Sequence, residues 1–311
     1  MPKPIDISAS RGAMILGISP HKSTVGAWLE IMEDRKPGFC AKHKYTPPPE
    51  PDNAATEWGV AFEDAVIHLT EEKREDKIIN REQFIQTDFL TCHLDGQYEK
   101  SENIHEGKTT SQYYFRDNFG SPGSDLVPIS YQVQAQHQML LKNKDKCILS
   151  VLVFPKRQSE FEIDLAMMDC KKWATVLDEM GYFHQYEISA NNDLQLAMIK
   201  KYIDFWEKYV LTEKEPPVGV YADFAMLVKN PQGTVLSNEQ VERWASEYKQ
   251  INAETSELSK RKDQLKVLIL NYMREQDKGV DKILDDDSRE KWVLRDRRGH
   301  KLFQYNGKTF R

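Results

Sequence analysis

The chain has 311 residues and a mass of 36.2 kDa, enough for one large domain with an appendage or for two domains, each with a buried core. The mean hydropathy is −0.66, and no apolar run approaches the roughly 18 residues that a membrane helix needs, which argues against a membrane protein. A net charge of −6 argues against a protein that coats nucleic acid indiscriminately. It leaves open an enzyme whose acidic side chains lie outside a basic groove.

The N-terminus and the cysteines indicate a cytoplasmic protein. The first residues, Met1 to Asp6, lack the apolar core of a signal peptide. The four cysteines are scattered and form no Cys-x-x-Cys pair, so we expect reduced thiols rather than disulfides or a zinc site. They are Cys40, Cys92, Cys147 and Cys170.

The first predicted elements are a short helix near Ser10, a stop at Gly17 and an amphipathic helix that starts at Ser23. Exposed amides at a helix N-terminus near Ser10 and Arg11 can bind a phosphate. The alternative, which these residues alone favour, is a capped helix with a surface arginine.

A proline-rich loop is predicted from Pro37 to Asn53, followed by an amphipathic helix over residues 56–69. Its apolar positions 62, 66 and 69 face inward, and Glu63 lies at the border of that stripe. Such a carboxylate is usually solvated, but it can also add an acid to a metal site.

Strands are predicted at 77–79, 82–86 and 89–95, and a further strand carries the sequence Glu-Gly-Lys. Asp95 ends an apolar run, and alternation along the next strand puts Glu106 and Lys108 on one face, with the Gly107 carbonyl between neighbouring strands. Two carboxylates and a carbonyl suit Mg²⁺, which keeps several waters, and a lysine there can orient an attacking water. The pattern indicates phosphodiester hydrolysis.

Glu-x-Lys alone is a weak signal, because it also occurs at Glu71-Glu72-Lys73 and Glu75-Asp76-Lys77, where it is typical of a charged helix surface. Only the copy at Glu106 follows a strand-like run that ends in an acid. A solvated surface remains the alternative.

A loop is predicted over 114–128, then a helix over 129–141 that is rich in glutamine, including Gln134. Neutral amides can contact phosphate oxygens and metal-bound water without competing for the cation. A merely polar helix face explains them equally well. A buried strand over 147–154 and a hairpin partner over 160–164 follow.

Taken in order, five motifs resemble the phage lambda exonuclease and YqaJ-type viral recombinase nucleases of the PD-(D/E)xK superfamily. The similarity spans roughly residues 7 to 217. The motifs are Ser10 with Gly17-Ile18-Ser19-Pro20, Trp58-Gly59 with Glu63, Asp95-Gly96, Glu106-Gly107-Lys108-Thr109-Thr110, and Tyr131 with Gln134, Gln136, His137, Gln138 and Met139.

The resemblance implies an α/β fold with a restriction-endonuclease-like mixed sheet flanked by helices. It implies Asp95 and Glu106 as Mg²⁺ ligands, with Mn²⁺ able to substitute, and Lys108 as the residue that positions the nucleophilic water. Two departures from the family pattern are His93, where a small residue is common, and Gly107, where an apolar residue is common.

Other positions carry over as well. Glu63 matches the helix-borne acid of the family, and Gln134 matches its active-site glutamine. Ser10 falls where the family has a serine near the 5′-phosphate pocket, with Arg11 beside it.

The resemblance implies 5′-to-3′ digestion of double-stranded DNA from an end, which leaves a 3′ single strand for a single-strand annealing recombinase. It also implies a homo-oligomer, for which ring-shaped trimers are known in the family, in the host cytoplasm if the chain is phage-encoded. The alternatives are an endonuclease or nickase of the same superfamily, or a catalytically weak DNA-binding adaptor.

The predicted domains are 1–232, the nuclease domain, and 233–311, a C-terminal arm. After a hinge at Gly233, a capping box at Ser237 starts one long helix whose apolar residues alternate in steps of three and four. That helix is either a coiled-coil arm or a helix packed on the nuclease domain. The tail beyond Gly279 is predicted to form a small basic and aromatic β hairpin, for DNA contact or to close the long helix.

Overall fold

A computed structural model describes residues 6–20, 22–48, 53–156, 165, 168–227, 236–275, 282–284, 290–297, 300–305 and 308–310. The chain divides into two compact units, Met1–Pro231 and Gln232–Arg311. None of the described helices is long and apolar enough to cross a membrane.

The first unit contains eight strands and nine α-helices in its described part. The strands are β1 (Ile7–Ser8), β2 (Ile78–Ile79), β3 (Gln83–Thr87), β4 (Leu90–Leu94), β5 (Gly96–Tyr98), β6 (Ile104–Ser111), β7 (Lys146–Phe154) and β8 (Phe183–Ser189). The helices are α1 (Gly12–Ile15), α2 (Thr24–Arg35), α3 (Phe39–His43), α4 (Asn53–Arg74), α5 (Gln112–Asn118), α6 (Ile129–Lys142), α7 (Cys170–Glu179), α8 (Asn192–Phe205) and α9 (Tyr221–Leu227). A 3₁₀ turn precedes α1 at Ala9–Arg11, and a π turn follows α8 at Trp206–Val210.

A five-stranded mixed sheet in the order β2-β5-β6-β7-β8 forms the centre of this unit. Strands β6 and β7 run parallel over eight residue pairs, from Ile104 opposite Cys147 to Ser111 opposite Phe154. The other neighbours in this sheet are antiparallel. A smaller sheet has the order β1-β4-β3. The predicted mixed sheet flanked by helices is therefore confirmed.

Helices cover both faces of the central sheet. On one face, Trp58 and Phe62 of α4 pack in one cluster with Leu152 and Phe154 of β7. On the other face, α6 contributes to a cluster that contains Leu149 and Val151 of β7. Because successive strand residues point to opposite faces, and Glu106 and Lys108 pair with Leu149 and Val151, both lie on the α6 face. The residues between and beside them face α4.

The N-terminal helices form a third apolar cluster with α8. Trp28 of α2 is fully buried, and its Nε1 donates to the Tyr209 carbonyl at 3.0 Å, which satisfies the one polar atom of the ring. The predicted start of α2 is confirmed, since the Ser23 hydroxyl accepts from the Gly26 N–H at 3.0 Å.

Two predicted loops contain short helices instead. Helix α3 lies within the predicted loop from Pro37, where Phe39 and Cys40 are buried against the N-terminal core. Helix α5 lies at the start of the predicted loop over 114–128, and its N-cap is Ser111. Tertiary burial and a cap stabilise segments that are too short to be helical alone.

Two other boundaries differ from expectation. Helix α4 runs over 22 residues and is longer than the predicted segment at both ends. The predicted hairpin partner of β7 at 160–164 lies outside the described residues, and the observed antiparallel neighbour is β8.

The described part of the second unit contains a helix of 37 residues, α10 (Glu239–Glu275). Four strands follow it: β9 (Lys282–Leu284), β10 (Glu290–Arg297), β11 (His300–Tyr305) and β12 (Lys308–Phe310). They form an antiparallel sheet in sequence order. The predicted long helix and small C-terminal sheet are confirmed.

The buried His137 of α6 makes stability depend on pH. Its side chain is 0% exposed, its ring centroid lies 5.5 Å from that of Tyr202, and neither ring nitrogen has a hydrogen-bond partner of ordinary geometry, although the Thr91 backbone is close. Burial lowers the pKa of His137 from 6.5 to about 4. As pH falls from 6.5 towards 4, the unfolded chain gains a proton that the folded chain does not, so stability falls.

We therefore expect His137→Leu to remove an acid-dependent loss of about 2–3 kcal/mol between pH 6.5 and 4. Chemical denaturation across this pH range measures the effect. His68→Leu, at a half-exposed histidine of α4, serves as the control. Parallel pH profiles for the wild type and His137→Leu would contradict a buried neutral imidazole.

Candidate active site

Strand β6 brings an acid and a lysine together on the α6 face. Glu106 is 2% exposed, and the Lys108 Nζ donates to its Oε1. The two residues are two positions apart on one strand, so the pleat places their side chains side by side. The Lys108 Nζ also lies 5.6 Å from the centre of the Tyr131 ring, a cation-π contact. The pair predicted from the sequence is therefore adjacent and largely buried.

Two amides of α6 complete the surroundings of the Glu106 carboxylate. The Gln134 Nε2 donates to Glu106 Oε1, and the Gln138 Nε2 donates to Glu106 Oε2 at 2.6 Å. Gln138 lies 3.3 Å from the His93 carbonyl through the same nitrogen. Residues four apart lie on one side of a helix, which is why both amides reach one carboxylate.

Asp95 reaches the same strand from the turn between β4 and β5. Its Oδ2 accepts from the Gly107 N–H at 2.8 Å. The pairing of β5 with β6 ends at Gly96 and His105, so the Gly107 backbone has no strand partner on that side. The N–H and C=O of one strand residue point the same way, so the Gly107 carbonyl also faces this open edge beside Asp95.

Charge and burial oppose each other at the site. Burial, followed by the nearby Asp95, raises the pKa of Glu106 above its usual range, while Lys108 and the Gln138 hydrogen bond act against that rise. Burial alone would lower the pKa of Lys108, but the carboxylates of Glu106 and Asp95 outweigh it and raise that pKa. Lys108 therefore stays protonated beside the Glu106 carboxylate.

A cavity of about 430 Å³ lies on the α4 side of β6. Its polar lining residues are Thr56, Glu63, Asp95, His105, Lys108 and Thr109. Burial, then the charge of Asp95, raises the pKa of Glu63, which also lies 3.7 Å from the Arg81 guanidinium. The His105 ring is fully buried without a hydrogen-bond partner, and burial lowers its pKa to about 4.

The site offers a hard cation only a few protein ligands. Among the described residues, no three His, Cys, Asp or Glu side chains are placed to hold a metal ion together. Asp95, the Gly107 carbonyl and Glu106 are adjacent, and two carboxylates with a carbonyl suffice for an ion that keeps several waters. Glu63 extends from the helix on the opposite face from Glu106 and lines the cavity without joining such a cluster.

Arg11 is held by acids of α2. Its Nη2 lies 2.6 Å from Asp34 Oδ2 and its Nε lies 3.2 Å from Glu30 Oε2. Ser10 is exposed, with its hydroxyl 3.1 Å from that of Ser8. The structure does not bring Ser10 and Arg11 into one anion site, and phosphate binding there stays a prediction.

Sequence reasoning assigned no role to three residues of the site, although Tyr131 and Gln138 belong to the fifth motif of the resemblance. Gln138 could have been found from its four-residue spacing from Gln134, and Tyr131 lies on the same helix one turn earlier. The position of His105 next to Glu106 gave no signal, because an alternating strand predicts that it faces away from the acid.

The comparison with protein families matches residues 3–145 to the YqaJ-like viral recombinase domain. The matched stretch contains the acid pair, the lysine and the glutamines of α6 described above. This part of the chain is therefore similar to the YqaJ-like viral recombinase domain, and the resemblance predicted from the sequence motifs is confirmed. No curated protein gave a match.

Three solved structures were also found to be similar. An alkaline exonuclease from Laribacter hongkongensis is 14% identical, with a TM-score of 0.47 over 68% of this chain and 90% of that one. The same exonuclease in complex with dAMP is 15% identical, with a TM-score of 0.47 over 67% and 90%. A phage-related exonuclease from Haemophilus somnus 129PT is 15% identical, with a TM-score of 0.45 over 67% and 96%.

Gln138 offers a test of how the buried acid is held. We expect Gln138→Leu to lower the free energy of unfolding by about 1–3 kcal/mol, because a buried carboxylate oxygen loses its donor. In a Glu106→Gln background the loss should be smaller, since a hydrogen bond to a neutral amide is weaker. Chemical denaturation of the four proteins gives the coupling, and equal losses in both backgrounds would show that Gln138 does not support the charge of Glu106.

Proposed function

We propose that this protein is a magnesium-dependent 5′-to-3′ exonuclease for double-stranded DNA, acting in phage-type homologous recombination to leave 3′ single strands. One observation carries the proposal: a lysine and a buried carboxylate held side by side on one strand, next to an aspartate that binds the backbone between them. The match of residues 3–145 to the YqaJ-like viral recombinase domain supports the DNA substrate and the recombination setting.

In this proposal Asp95, Glu106 and the Gly107 carbonyl would hold Mg²⁺. The bound ion would supply a Lewis acid for a phosphoryl oxygen and a source of activated water. Mn²⁺ is expected to substitute, because the same oxygen ligands suit both ions.

The protein's own groups do the remaining work. Lys108, kept protonated by its acidic neighbours, orients the attacking water and balances the negative charge that builds on the phosphate. Gln134 and Gln138 fix the Glu106 carboxylate, so that its oxygens are in place before DNA arrives. Glu63 lines the cavity next to Asp95 and would act on water there rather than as a ligand shared with Glu106.

Two further parts of the proposal come from the family. A single-strand annealing recombinase is the expected partner for the 3′ strand. A homo-oligomer, with a ring-shaped trimer as the family precedent, would keep the enzyme on DNA through successive cleavages.

One observation favours a rival function. Because no three acidic or histidine side chains of the described residues cluster as metal ligands, a catalytically weak DNA-binding adaptor is the second candidate. An endonuclease or nickase would use the same groups, and the form of DNA that is cut separates it from an exonuclease.

The decisive assay uses linear duplex DNA labelled at the 5′ or the 3′ end, beside covalently closed circles, with Mg²⁺. We expect early release of the 5′ label as mononucleotide, intact circles, and a loss of at least about 100-fold for Lys108→Met, because that change removes a charge from the transition state. The matched control is Lys146→Met, at a half-exposed lysine of the neighbouring strand that pairs with Glu187.

Other outcomes of this assay would redirect the proposal. Nicked circles would indicate an endonuclease, and early release of the 3′ label would reverse the polarity. DNA binding without cleavage that depends on Lys108 would indicate the adaptor.

Metal binding can be measured without DNA. We expect titration calorimetry with Mn²⁺ to show binding to the wild type that is lost in Asp95→Asn and in Glu106→Gln, because each variant removes one carboxylate charge and keeps a similar shape. Asp64→Asn, at an exposed acid of α4 paired with Arg81, is the control. Undiminished binding by both active-site variants would place the metal elsewhere.

A further inference from the structure

Helix α10 carries an apolar stripe that the proposed nuclease site does not use. The described side chains of this stripe are between 44% and 71% exposed. They are Val241, Trp244, Tyr248, Ile251, Leu258 and Leu265. Single exposed apolar residues are ordinary, but a continuous stripe of this length along one helix marks an interaction surface.

The spacing of the stripe identifies the kind of surface that covers it. Its residues alternate in steps of three and four, and Thr255 and Lys262 occupy the remaining positions of the series. A repeat of 3.5 residues keeps one seam of a helix against a second helix in a left-handed coiled coil. The element that covers the stripe is therefore another helix rather than a sheet or a flat surface.

The charges of α10 divide between its two halves. Residues 239–257 carry five acids and two bases, whereas residues 258–268 carry four bases and one acid. Two copies of this helix side by side in opposite directions place each acidic half against the basic half of the other. Such complementarity selects both the partner and its direction.

A parallel pair of the same helices would bring like charges together. Lys262 would meet its own counterpart in the seam, and Arg261 would flank Lys266 of the partner subunit. In the antiparallel register Lys262 lies opposite Ile251 of the partner subunit, and Glu254 lies beside Arg261 of the partner subunit. Thr255 then faces Leu258 of the partner subunit, so each polar seam position meets an apolar one.

We propose that α10 is a dimerisation arm that pairs with the α10 of a second copy of this chain as an antiparallel two-stranded coiled coil. The proposal does not depend on the nuclease function proposed above. It concerns α10 alone and applies whatever assembly residues 1–231 form.

Disulfide trapping in the full chain tests the direction of the pair. Two variants with one added cysteine each, Tyr248→Cys and Leu265→Cys, are co-expressed with tags of different size. In both, the partly exposed Cys170 is changed to serine, and the three buried cysteines stay in place. The antiparallel register predicts the mixed dimer that joins position 248 to position 265. Dimers joining 248 to 248 and 265 to 265 would indicate a parallel pair and overturn the proposal.

The control pair for trapping is Gln250→Cys with Asp263→Cys, which lies at the same level of the arm but on its outer face. We expect little cross-linking there. A yield for the 248–265 pair that does not exceed this control would mean that the arms do not associate, which also overturns the proposal.

A charge swap gives a second, independent measurement. Glu254→Arg or Arg261→Glu alone places like charges together twice in each dimer, and we expect the dissociation constant from sedimentation equilibrium to rise about five-fold. The double variant restores opposite charges and should return to the wild-type value. If the double variant dissociates as readily as the single variants, the two residues do not face each other and the antiparallel register is wrong.

Discussion

The buried Glu106 carboxylate is the constraint on which the rest of the site depends. It lies on the face of the sheet that α6 covers, in line with Leu149 of the neighbouring strand, and a charge in such surroundings is costly unless it is paired and hydrogen-bonded. Lys108 supplies the opposite charge, and Gln134 and Gln138 supply donors to both oxygens. The glutamine-rich face of α6 is therefore explained by the acid beneath it. Removing any one of these partners would leave the remaining polar groups buried without a full set of hydrogen bonds.

The polar groups of the site lie on both faces of the central sheet, and a hydrogen bond from the backbone of β6 connects them. Glu106 and Lys108 point towards α6, whereas His105 and Glu63 border a cavity under α4. Asp95 connects the two sides by binding the Gly107 N–H at the edge where β5 has ended. A side chain larger than glycine at position 107 would project among Val66, His105 and Asp95. The tightest of these contacts would be with Val66, at 3.3 Å, so the glycine at this position leaves room for α4 to pack against the strand.

The sequence predicted the elements with strong periodicity and the part of the site that follows from it. Alternation along one strand was enough to place Glu106 beside Lys108, and a turn after an apolar run was enough to bring Asp95 near them. The short helix α3 was not predictable, because its stability comes from burial of Phe39 in a distant core. Nor could the sequence show that Arg11 is engaged, since its acidic partners lie 19 and 23 residues away on another helix. Contacts that depend on how separate elements pack cannot be predicted from the local sequence pattern.

The strand that carries the acid and the lysine pairs over its whole length with eight residues of β7, and it pairs with β5 at Ile104 and His105. The amides of β6 that bond to β7 can exchange with solvent only when the central sheet opens, so this side of the strand shares the protection of the global fold instead of the faster opening of a loop. The pair of Glu106 and Lys108 on this strand is therefore in place in nearly every folded molecule. Regulation would then have to act on access to the site, because its geometry cannot be switched without unfolding the sheet that holds it.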